Sequence, residues 1–245
     1  RETYGEDLGQ ASWITAGEAR RWFNLLQLRR GRNALEVACG SGGVTCDMAR
    51  HTGATCVGID INAHGIEAAN ARAKRDGISS LVSFQTTDAG SRLAFPDEAF
   101  DAVFCNDSIN HLPDRAAVLQ DWHRLVRPGG RILFTDPIVV TGQLSNEEIR
   151  TRSSIGFFLF TPVGHNERLL EQTGFTVREV VDVTDAVVSV AQKWREARAR
   201  RRARLVPLEG EESFDGLQRF LEAVYVLAGE RRLSRFMYLA EKRAV

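Results

Sequence analysis

Short apolar runs alternate with amphipathic stretches along the first half of the chain. The apolar runs predict five strands, near residues 34–38, 55–60, 81–85, 100–105 and 131–135. Before and between these strands, apolar residues recur at helical spacing and predict helices. A capping box at Thr15 and Glu18 marks the start of the first helix, and Gly53 and Gly77 mark the ends of the second and third. Strands that alternate with helices in this way pair in parallel, with helices on both faces of the sheet.

The last third of the chain departs from this alternation. Residues 175–183 and 233–240 look like strands, with helical stretches at 185–205 and 213–227 between them. We expect the two strands to form an antiparallel pair at the sheet edge. The fold class is therefore predicted as α/β, with a doubly wound, seven-stranded, mostly parallel, Rossmann-like sheet. The tetrapeptide at 127–130, Arg-Pro-Gly-Gly, predicts a turn before the fifth strand.

We expect residues 1–245 to form one domain, because a chain of 245 residues can bury a full core. Residues 141–165 and 184–229 are expected to be helical cap insertions at the carboxyl end of the sheet, where open α/β folds bind ligands. The first contains an aromatic run at 155–160, and the second contains Trp194. A lid lined by such rings suits a flat or apolar ligand, although the rings would serve equally well to pack the cap onto the sheet.

A glycine-rich turn follows the first strand and points to a nucleotide site. Gly40-Ser41-Gly42-Gly43 leads into a helix, and Asp60 ends the second strand at the distance expected of an acid that holds ribose. The dinucleotide pattern is broken by Thr45, which stands where a third glycine or alanine is required. Asp88 follows the third strand and has a carboxylate suited to an exocyclic adenine amine.

Five segments together resemble one known family. The sequence LEVACGSGG at 35–43 resembles the first motif of class I S-adenosylmethionine-dependent methyltransferases. The segments GIDI at 58–61, TDA at 87–89, FDAV at 100–103 and LVRPGG at 125–130 resemble that family's later motifs in the same order. The resemblance implies the methyltransferase fold, S-adenosyl-L-methionine as cofactor and methyl transfer as the activity.

The resemblance also implies roles for individual residues at the cofactor. They comprise Gly40 and Gly42 with Cys39 and Ser41 at the methionine part, Glu36 supporting that loop, Asp60 at the ribose, Ile61 against adenine, Asp88 with Ala89 at the adenine edge, and Asn106 with Asp107 at the methyl-transfer cleft. The structural alternatives are that the glycines simply end a strand and that Asp60 caps a helix. For Ile61 or Ala89 alone, core packing is nearly as good an explanation.

His111 is the candidate general base. The stretch NDSINHLP at 106–113 resembles the phosphobase and sarcosine group of small-molecule methyltransferases, in which an Asp and a His four residues later occupy this place. The alternative is a structural or cofactor-side role, since a His before Leu-Pro is common across class I enzymes. The segment YGEDLGQ at 4–10, within an N-terminal region of residues 1–30, is similar to a segment that covers the cofactor in the same relatives. This similarity implies contacts from Gln10 and Trp13.

The implied reaction is in-line methyl transfer to a hydroxyl, amine or carbon of a small, apolar or aromatic metabolite. The cofactor carries its methyl on a sulfonium, so the protein mainly has to orient the acceptor and exclude water. A base is needed only if the nucleophile keeps a proton that it does not lose readily. The sequence leaves open which atom accepts the methyl, and whether two chains form a homodimer.

Composition narrows the alternatives. Lys plus Arg and Asp plus Glu number 32 each, so no net charge favours nucleic acid. No apolar run is long enough to cross a membrane, and no secretory pattern is visible. The four cysteines show neither CxxC pairs nor zinc spacing, which predicts free thiols, no metal site and a cytoplasmic location. Because the chain begins at Arg1 rather than Met, we expect native residues to precede it.

Three rival functions remain. The segment 193–204 contains six arginines and could bind RNA, although interspersed and following glutamates favour a solvated helix face. An RNA methyltransferase is therefore one alternative. A protein that binds the cofactor without transferring methyl is the second, because fold and activity are separable. A nicotinamide dehydrogenase is the third, and Thr45 together with the later motifs argues against it.

Overall fold

The computed structural model describes residues 1–244. The first part of the chain alternates helices and strands. In chain order its elements are α1 (Ala16–Leu25), β1 (Asn33–Val37), α2 (Gly43–Thr52), β2 (Thr55–Asp60), α3 (Ala63–Arg75), β3 (Val82–Thr86), β4 (Phe100–Cys105), a 3-10 turn (Ile109–His111), α4 (Arg115–Leu125) and β5 (Val126–Val140). The elements that follow are α5 (Asn146–Arg152), β6 (Thr161–Pro162), α6 (His165–Gln172), β7 (Phe175–Asp182), α7 (Thr184–Arg200), α8 (Arg202–Glu209), α9 (Glu211–Gly229) and β8 (Leu233–Lys242).

One sheet organises the molecule. Seven strands follow the order β3-β2-β1-β4-β5-β8-β7, and the two-residue strand β6 pairs with β5 off this path. The strands β3, β2, β1, β4 and β5 are parallel, whereas β8 runs antiparallel to both of its neighbours. The prediction of a doubly wound, mostly parallel sheet with an antiparallel C-terminal pair is confirmed.

The order of the strands reverses between β1 and β4, and this position determines where a ligand can bind. The chain moves outward from β1 to β2 and β3, then returns to place β4 on the other side of β1. The loops after β1 and β4 therefore separate at the carboxyl ends of these strands and leave a crevice. Residues on alternate sides of each strand reach separate cores: Ala34 faces the layer of α1, α2 and α3, and Leu35 faces the layer of α4 and α6.

The predicted turn at 127–130 is wrong, because these residues belong to β5. The register between β4 and β5 shifts between Phe100 and Ala102, and Gly129 has φ +73°. A bulge of this kind takes up the conformation that looked like a turn in the sequence. The strand also continues beyond residue 135, through Pro137, where a second register shift separates the pairs of Asp136 and Val139 with β8.

The predicted capping box of α1 is only half present. The Thr15 hydroxyl accepts a hydrogen bond from the Glu18 backbone N–H at 3.3 Å. The Glu18 carboxylate, however, accepts from Arg235 at 2.5 Å. The Glu18 carboxylate thus serves as one of the two counter-ions of the buried Arg235, whose charge would be costly inside the protein without partners.

Helices α7 and α9 pack against each other through an apolar cluster that includes Val190, Leu221 and Trp13. The predicted helix at 185–205 is divided at Arg201 into α7 and α8. The arginines of segment 193–204 lie mostly in ion pairs: Arg195 with Glu222, Arg198 with Glu209, Arg200 and Arg201 with Glu2, and Arg202 with Glu211. The positive charge of this segment is thus largely neutralised by nearby carboxylates.

Within residues 1–244, no helix combines the length and apolar character that crossing a membrane requires. All four cysteines are free and buried, as the sequence predicted. Burial raises the pKa of the Cys46 thiol to about 11, which keeps it in the neutral, unreactive form.

Candidate active site

The loop after β1 forms the floor of the crevice. Ala38, Gly40 and Gly42 all have positive φ, of 58°, 54° and 69°. At Gly42, the N-cap residue of α2, an added Cβ would lie 2.6 Å from the Phe84 ring, so only glycine fits. The Gly40 N–H donates to Oδ2 of Asp60 at 2.8 Å. This bond ties the glycine loop to the end of β2.

A cavity of about 210 Å³ lies over this loop. Its walls include Glu36, Cys39, Gly40, Ser41, Gln10 and Asn106. Glu36 is 2% exposed, and its carboxylate accepts a hydrogen bond from the Thr45 hydroxyl. Burial raises the pKa of Glu36 to about 8, and the nearby charge of Asp60 acts in the same direction. A cation in this cavity would favour the ionised carboxylate.

A larger cavity of about 580 Å³ adjoins the first. Ile61, Asp88, Ala89 and His111 are among its lining residues, and Ile61 is 72% exposed. Core packing is therefore excluded for the Ile61 side chain, which presents an apolar surface to the cavity. Asp88 accepts from the Gly90 N–H at 2.8 Å through Oδ1.

The two cavities form one elongated cleft, which we call the long cleft. Ala38, Asp60 and Ser108 line both parts, so the carboxylate of Asp60 lies at their junction. Asp60 uses Oδ2 for Gly40 and Oδ1 for the Asn62 N–H at 2.8 Å. Its remaining lone pairs can accept hydrogen bonds from ligand hydroxyls.

The N-terminal segment closes one side of the long cleft. The Ser41 hydroxyl donates to the carbonyl of Gly9 at 3.1 Å, and the Leu8 N–H donates to the Gln10 side chain at 2.8 Å. An added Cβ at Gly43 would lie 1.7 Å from the Leu8 carbonyl oxygen. The close approach of the N-terminal segment to α2 therefore depends on Gly43, a residue that the sequence did not predict to belong to the site.

A third cavity, of about 120 Å³, lies beside the long cleft and is called the side cavity. It is bounded mainly by aromatic and apolar side chains from the N-terminal segment, the 141–165 region and helices α7 and α9. The lining includes Trp13, Arg152, Phe158, Trp194 and Phe220. His111 lines both the side cavity and the large part of the long cleft, so it stands where the two meet.

The orientation of His111 is set by a backbone carbonyl. Its Nδ1 lies 2.6 Å from the carbonyl oxygen of Phe157, and its ring lies 4.6 Å from the Phe158 ring. A carbonyl only accepts, so Nδ1 must carry the hydrogen. In the neutral ring this assignment leaves the lone pair on Nε2, the nitrogen that a general base uses.

Asp107 belongs to a buried network behind the side cavity. It has φ +54°, and its Oδ1 accepts from Arg235 and from the Thr135 hydroxyl, both at 2.6 Å. Its Oδ2 accepts from the Trp13 backbone N–H at 2.9 Å. The network joins the end of β4 to the N-terminal segment. Asn106 reaches the same segment, donating to the Ser12 hydroxyl at 2.5 Å.

Most residues selected from the sequence lie together around the two spaces. Glu36, Cys39, Gly40, Ser41, Asp60, Ile61, Asp88, Ala89, Asn106, Gln10 and His111 line the long cleft. Gly42 lies beneath the loop and lines neither space. Trp13 and Asp107 line the side cavity instead, because Trp13 packs against α7 and α9.

Several lining residues were missed. Ala38 and Ser108 join the two parts of the long cleft, and the positive φ of Ala38 could not be read from an alanine. Arg152, buried in the side cavity, was also missed, because a single arginine at the end of a polar helix carries no signal in the sequence. In the described part of the chain, no group of His, Cys, Asp and Glu could hold a metal ion.

The class of protein follows from these features. A mostly parallel sheet carries a glycine loop after β1, an acid at the end of β2 and a cleft where the strand order reverses, and this combination defines a nucleotide-binding protein of the Rossmann-like class. A family model described as "Methyltransferase domain" matches residues 35–134. The O-methyltransferase resE of Aspergillus sclerotiorum is 30% identical over 215 residues, covering 86% of this chain and 76% of that protein. The chain therefore belongs to the family of class I S-adenosylmethionine-dependent methyltransferases, as the motifs predicted.

Other similarities agree with this assignment. The methyltransferase GfsG of Streptomyces halstedii is 33% identical over 178 residues, which cover 69% of this chain and 63% of that protein. For three of the curated relatives, the chain spans only 63%, 36% and 54% of their length. The phosphoethanolamine N-methyltransferase 2 of Haemonchus contortus, solved in complex with S-adenosyl-L-methionine, has the same fold, with a TM-score of 0.81, 21% identity and coverage of 94% of this chain and 53% of that one.

Proposed function

We propose that this protein transfers a methyl group from S-adenosyl-L-methionine to a small, apolar or aromatic metabolite. The observation that carries the proposal is the junction at His111, where a cleft with a nucleotide-type floor meets a separate cavity lined by aromatic rings. Two adjoining spaces of different chemistry suit a reaction between a nucleoside cofactor and a second molecule.

The residues of the long cleft fit the cofactor. Asp60 has lone pairs free for ribose hydroxyls, and the exposed Ile61 offers an apolar surface for adenine. Asp88 lies on the same part of the cleft and suits the adenine amine. Glu36, Cys39, Gly40, Ser41 and Gln10 surround the smaller part, where a cationic methionine moiety would meet the buried carboxyl of Glu36. Gly42 supports this loop from below. Asn106 lines the smaller part of the long cleft, and Asp107 lines the side cavity.

The bound cofactor supplies a methyl group on a positively charged sulfur, which leaves as a neutral thioether. The chain's own task is to hold the acceptor in line and to keep water out, and orientation alone contributes about 7–11 kcal/mol. His111 can accept a proton at Nε2 from a hydroxyl or ammonium acceptor, because Nδ1 is committed to the Phe157 carbonyl. An enolate or thiolate acceptor would not need this proton transfer, and His111 would then only position groups.

The side cavity favours a small acceptor over RNA. It is lined by side chains from the N-terminal segment, the turn after β4, β5, the 141–165 region and helices α7 and α9, and it has a volume of about 120 Å³. The arginine segment, the one sequence feature that favoured RNA, has most of its guanidinium groups bonded to carboxylates. We therefore place RNA methylation second. Cofactor binding without methyl transfer is the remaining alternative.

Other features of the protein are proposed on the same basis. We propose a cytoplasmic location, supported by four free, buried cysteines. We also propose a single domain in which residues 1–30 cover the cofactor and residues 141–165 and 184–229 form the cap. Trp13 and Trp194 from the first and last of these segments meet at the side cavity, with ring centroids 6.3 Å apart. A homodimer is the simplest assembly to test by light scattering.

The experiment that tests the function has two stages. Calorimetric titration is expected to give saturable binding of S-adenosyl-L-methionine and S-adenosylhomocysteine, but not of NAD. Incubation with a panel of small aromatic and apolar acceptors is then expected to yield S-adenosylhomocysteine, detected by mass spectrometry. Binding of NAD in preference to S-adenosyl-L-methionine would refute the proposal.

The role of His111 is tested with the same assay. If the acceptor keeps its proton, His111→Ala is expected to lower kcat about 10²–10⁴-fold at neutral pH, with little change in cofactor affinity. Full activity of this variant would remove His111 as an essential base while leaving the methyl-transfer function intact.

A further inference from the structure

Arg152 is buried in the side cavity without a counter-ion. The residue is 3% exposed and ends α5, the first helix of the 141–165 region. Among residues 1–244, no group accepts a hydrogen bond from its Nη1 atom, and no carboxylate lies within ion-pair distance. Buried arginines are normally paired, because an unpaired charge inside a protein is costly.

Two aromatic rings hold the guanidinium of Arg152 in place. Its Cζ lies 4.7 Å from the centroid of Phe158 and 5.0 Å from that of Phe220. These contacts stabilise the cation by the attraction of the ring faces, but they satisfy none of its N–H donors. The side chain is therefore fixed in position while its hydrogen-bonding capacity remains available.

Asp107 and Asp136 are the two acids whose charges act on Arg152, and both are hydrogen-bonded to other arginines. Asp107 accepts from Arg235 at 2.6 Å, and Asp136 accepts from Arg115 at 2.7 Å. Burial lowers the pKa of Arg152 to about 10 in spite of these two acids, so the residue is still charged at neutral pH. Both acids stabilise the charge of Arg152 through space, but each is hydrogen-bonded to another arginine, so neither pairs with Arg152 directly.

We propose that Arg152 binds an anionic oxygen of the methyl acceptor: a carboxylate, or an ionised enol or phenol, attached to a flat apolar body. This inference rests on the proposed methyl-transfer function, because it assigns the side cavity to the acceptor. The guanidinium offers paired N–H donors that match such oxygens, and Trp13, Trp194 and the two Phe rings suit the flat body. His111 contacts the same Phe158 ring, so the bound acceptor lies beside the long cleft.

The unpaired charge of Arg152 also makes the side cavity selective for anionic ligands. A neutral analogue would leave the guanidinium desolvated and unpaired, whereas an anion would neutralise it. A site with buried donors of this kind discriminates strongly against ligands that cannot pair with them. Arg152 thus selects acidic acceptors, while the aromatic walls select their shape.

The test uses small probes in calorimetric titrations, with and without S-adenosyl-L-methionine. Benzoate and its neutral analogue benzamide report on a carboxylate, and 2,4-dinitrophenolate and 1,3-dinitrobenzene report on an ionised phenol. The wild-type protein is expected to bind at least one anion about tenfold or more tightly than its neutral analogue. Comparing the two pairs shows which kind of anionic oxygen the site prefers.

Two variants assign the preference to Arg152. Arg152→Met keeps an unbranched side chain but removes the guanidinium and its charge, and it is expected to abolish the preference for the anion. Arg150→Met removes the same charge from an exposed position of the same helix and is expected to leave the preference unchanged. Arg152→Lys, which keeps the charge but loses the paired donors, is expected to give an intermediate result.

A second readout does not need a ligand. Because Arg152→Met removes an unpaired buried charge, its thermal midpoint is expected to equal or exceed that of the wild type. Equal binding of anionic and neutral probes by the wild type would overturn the inference, and so would a preference that survives in Arg152→Met. Failure to bind S-adenosyl-L-methionine would instead count against the proposed function, because the anion preference is also measured without the cofactor.

Discussion

The buried charged residues of this protein differ in whether a residue of opposite charge is bonded to them. Asp107 and Glu18 each accept from Arg235, which has no exposed surface. Arg152 is similarly buried, but none of the described residues accepts a hydrogen bond from its Nη1 atom. Glu36 is a buried carboxyl whose neighbours include another acid, Asp60, and its pKa is raised to about 8 as a result of burial and this repulsion. A buried group that lacks a counter-charge is a candidate for one that a ligand provides.

Glu36 leads to a prediction about protons. S-adenosyl-L-methionine is a cation, so its binding is expected to lower the pKa of Glu36 from about 8 and to release a proton at pH 7. The affinity should therefore rise with pH up to about 8 and level off above it. Calorimetry in two buffers of different ionisation enthalpy measures the released proton directly.

Glu36→Gln is the control for this effect and is expected to lose both the proton release and the rise in affinity.

The stability of the free protein has the opposite pH dependence. The pKa of Glu36 in the folded protein lies above its ordinary value of 4.5, so its contribution to stability is fully present below pH 4.5 and declines up to about pH 8. If the wild type released no proton when it binds S-adenosyl-L-methionine at pH 7, the predicted role of Glu36 in cofactor binding would be contradicted.

At the scale of elements, the site is formed where the strand-end loops, the N-terminal segment and the cap regions meet at the carboxyl end of the sheet. The loops after β1, β2 and β4 form the floor, and the N-terminal segment lies against them. The region after β5 and the helices α7 and α9 enclose the side cavity. The N-terminal segment touches both spaces, because Gln10 lines the long cleft and Trp13 the side cavity.

Gly43→Ala tests the contact between α2 and the N-terminal segment. The added Cβ would lie 1.7 Å from the Leu8 carbonyl oxygen, so the segment has to move. The affinity for S-adenosyl-L-methionine is expected to fall about tenfold or more, equivalent to roughly 1.4 kcal/mol, as measured by calorimetry.

Gly17→Ala, in the first turn of α1, is the matched control, since within the described part of the chain an added Cβ there meets nothing within 4 Å. This variant is expected to retain wild-type affinity and to be slightly more stable. Unchanged cofactor affinity in Gly43→Ala would mean that the N-terminal segment does not contribute to binding.

At the scale of the whole molecule, Arg235 connects distant parts of the chain. From β8 it reaches Asp107 at the end of β4 and Glu18 in α1, with hydrogen bonds of 2.6 and 2.5 Å. Asp107 in turn holds the Trp13 backbone N–H. The antiparallel strand at the C-terminal end of the chain therefore fixes both the candidate site and the segment that covers it.

Arg235→Met is expected to destabilise the protein by about 3–5 kcal/mol, because it leaves the carboxylates of Asp107 and Glu18 buried without their cation. Urea denaturation measures this difference. Arg152→Met is the matched comparison, a buried arginine replaced by the same residue, and is expected to show no loss of stability. Equal destabilisation of the two variants would contradict the distinction between paired and unpaired buried arginines.

The sequence by itself determined the mostly parallel sheet, its antiparallel C-terminal pair and the family. Strand and helix periodicity is local, the glycine loop and Asp88 follow strands, and Asp60 ends one, so their approximate positions could be predicted. The bulged start of β5 was missed because glycine and proline in a bulge look the same as in a turn.

Only the tertiary structure decided the side cavity and its chemistry. Trp13, Arg152, Trp194 and Phe220 come from regions far apart in the sequence, and no local pattern shows that they meet. Whether a buried arginine is paired, as Arg235 is, or unpaired, as Arg152 is, depends on side chains that the fold brings from elsewhere. Burial and charge pairing are properties of the packed chain, and for that reason the features that select the acceptor could not be predicted from the sequence.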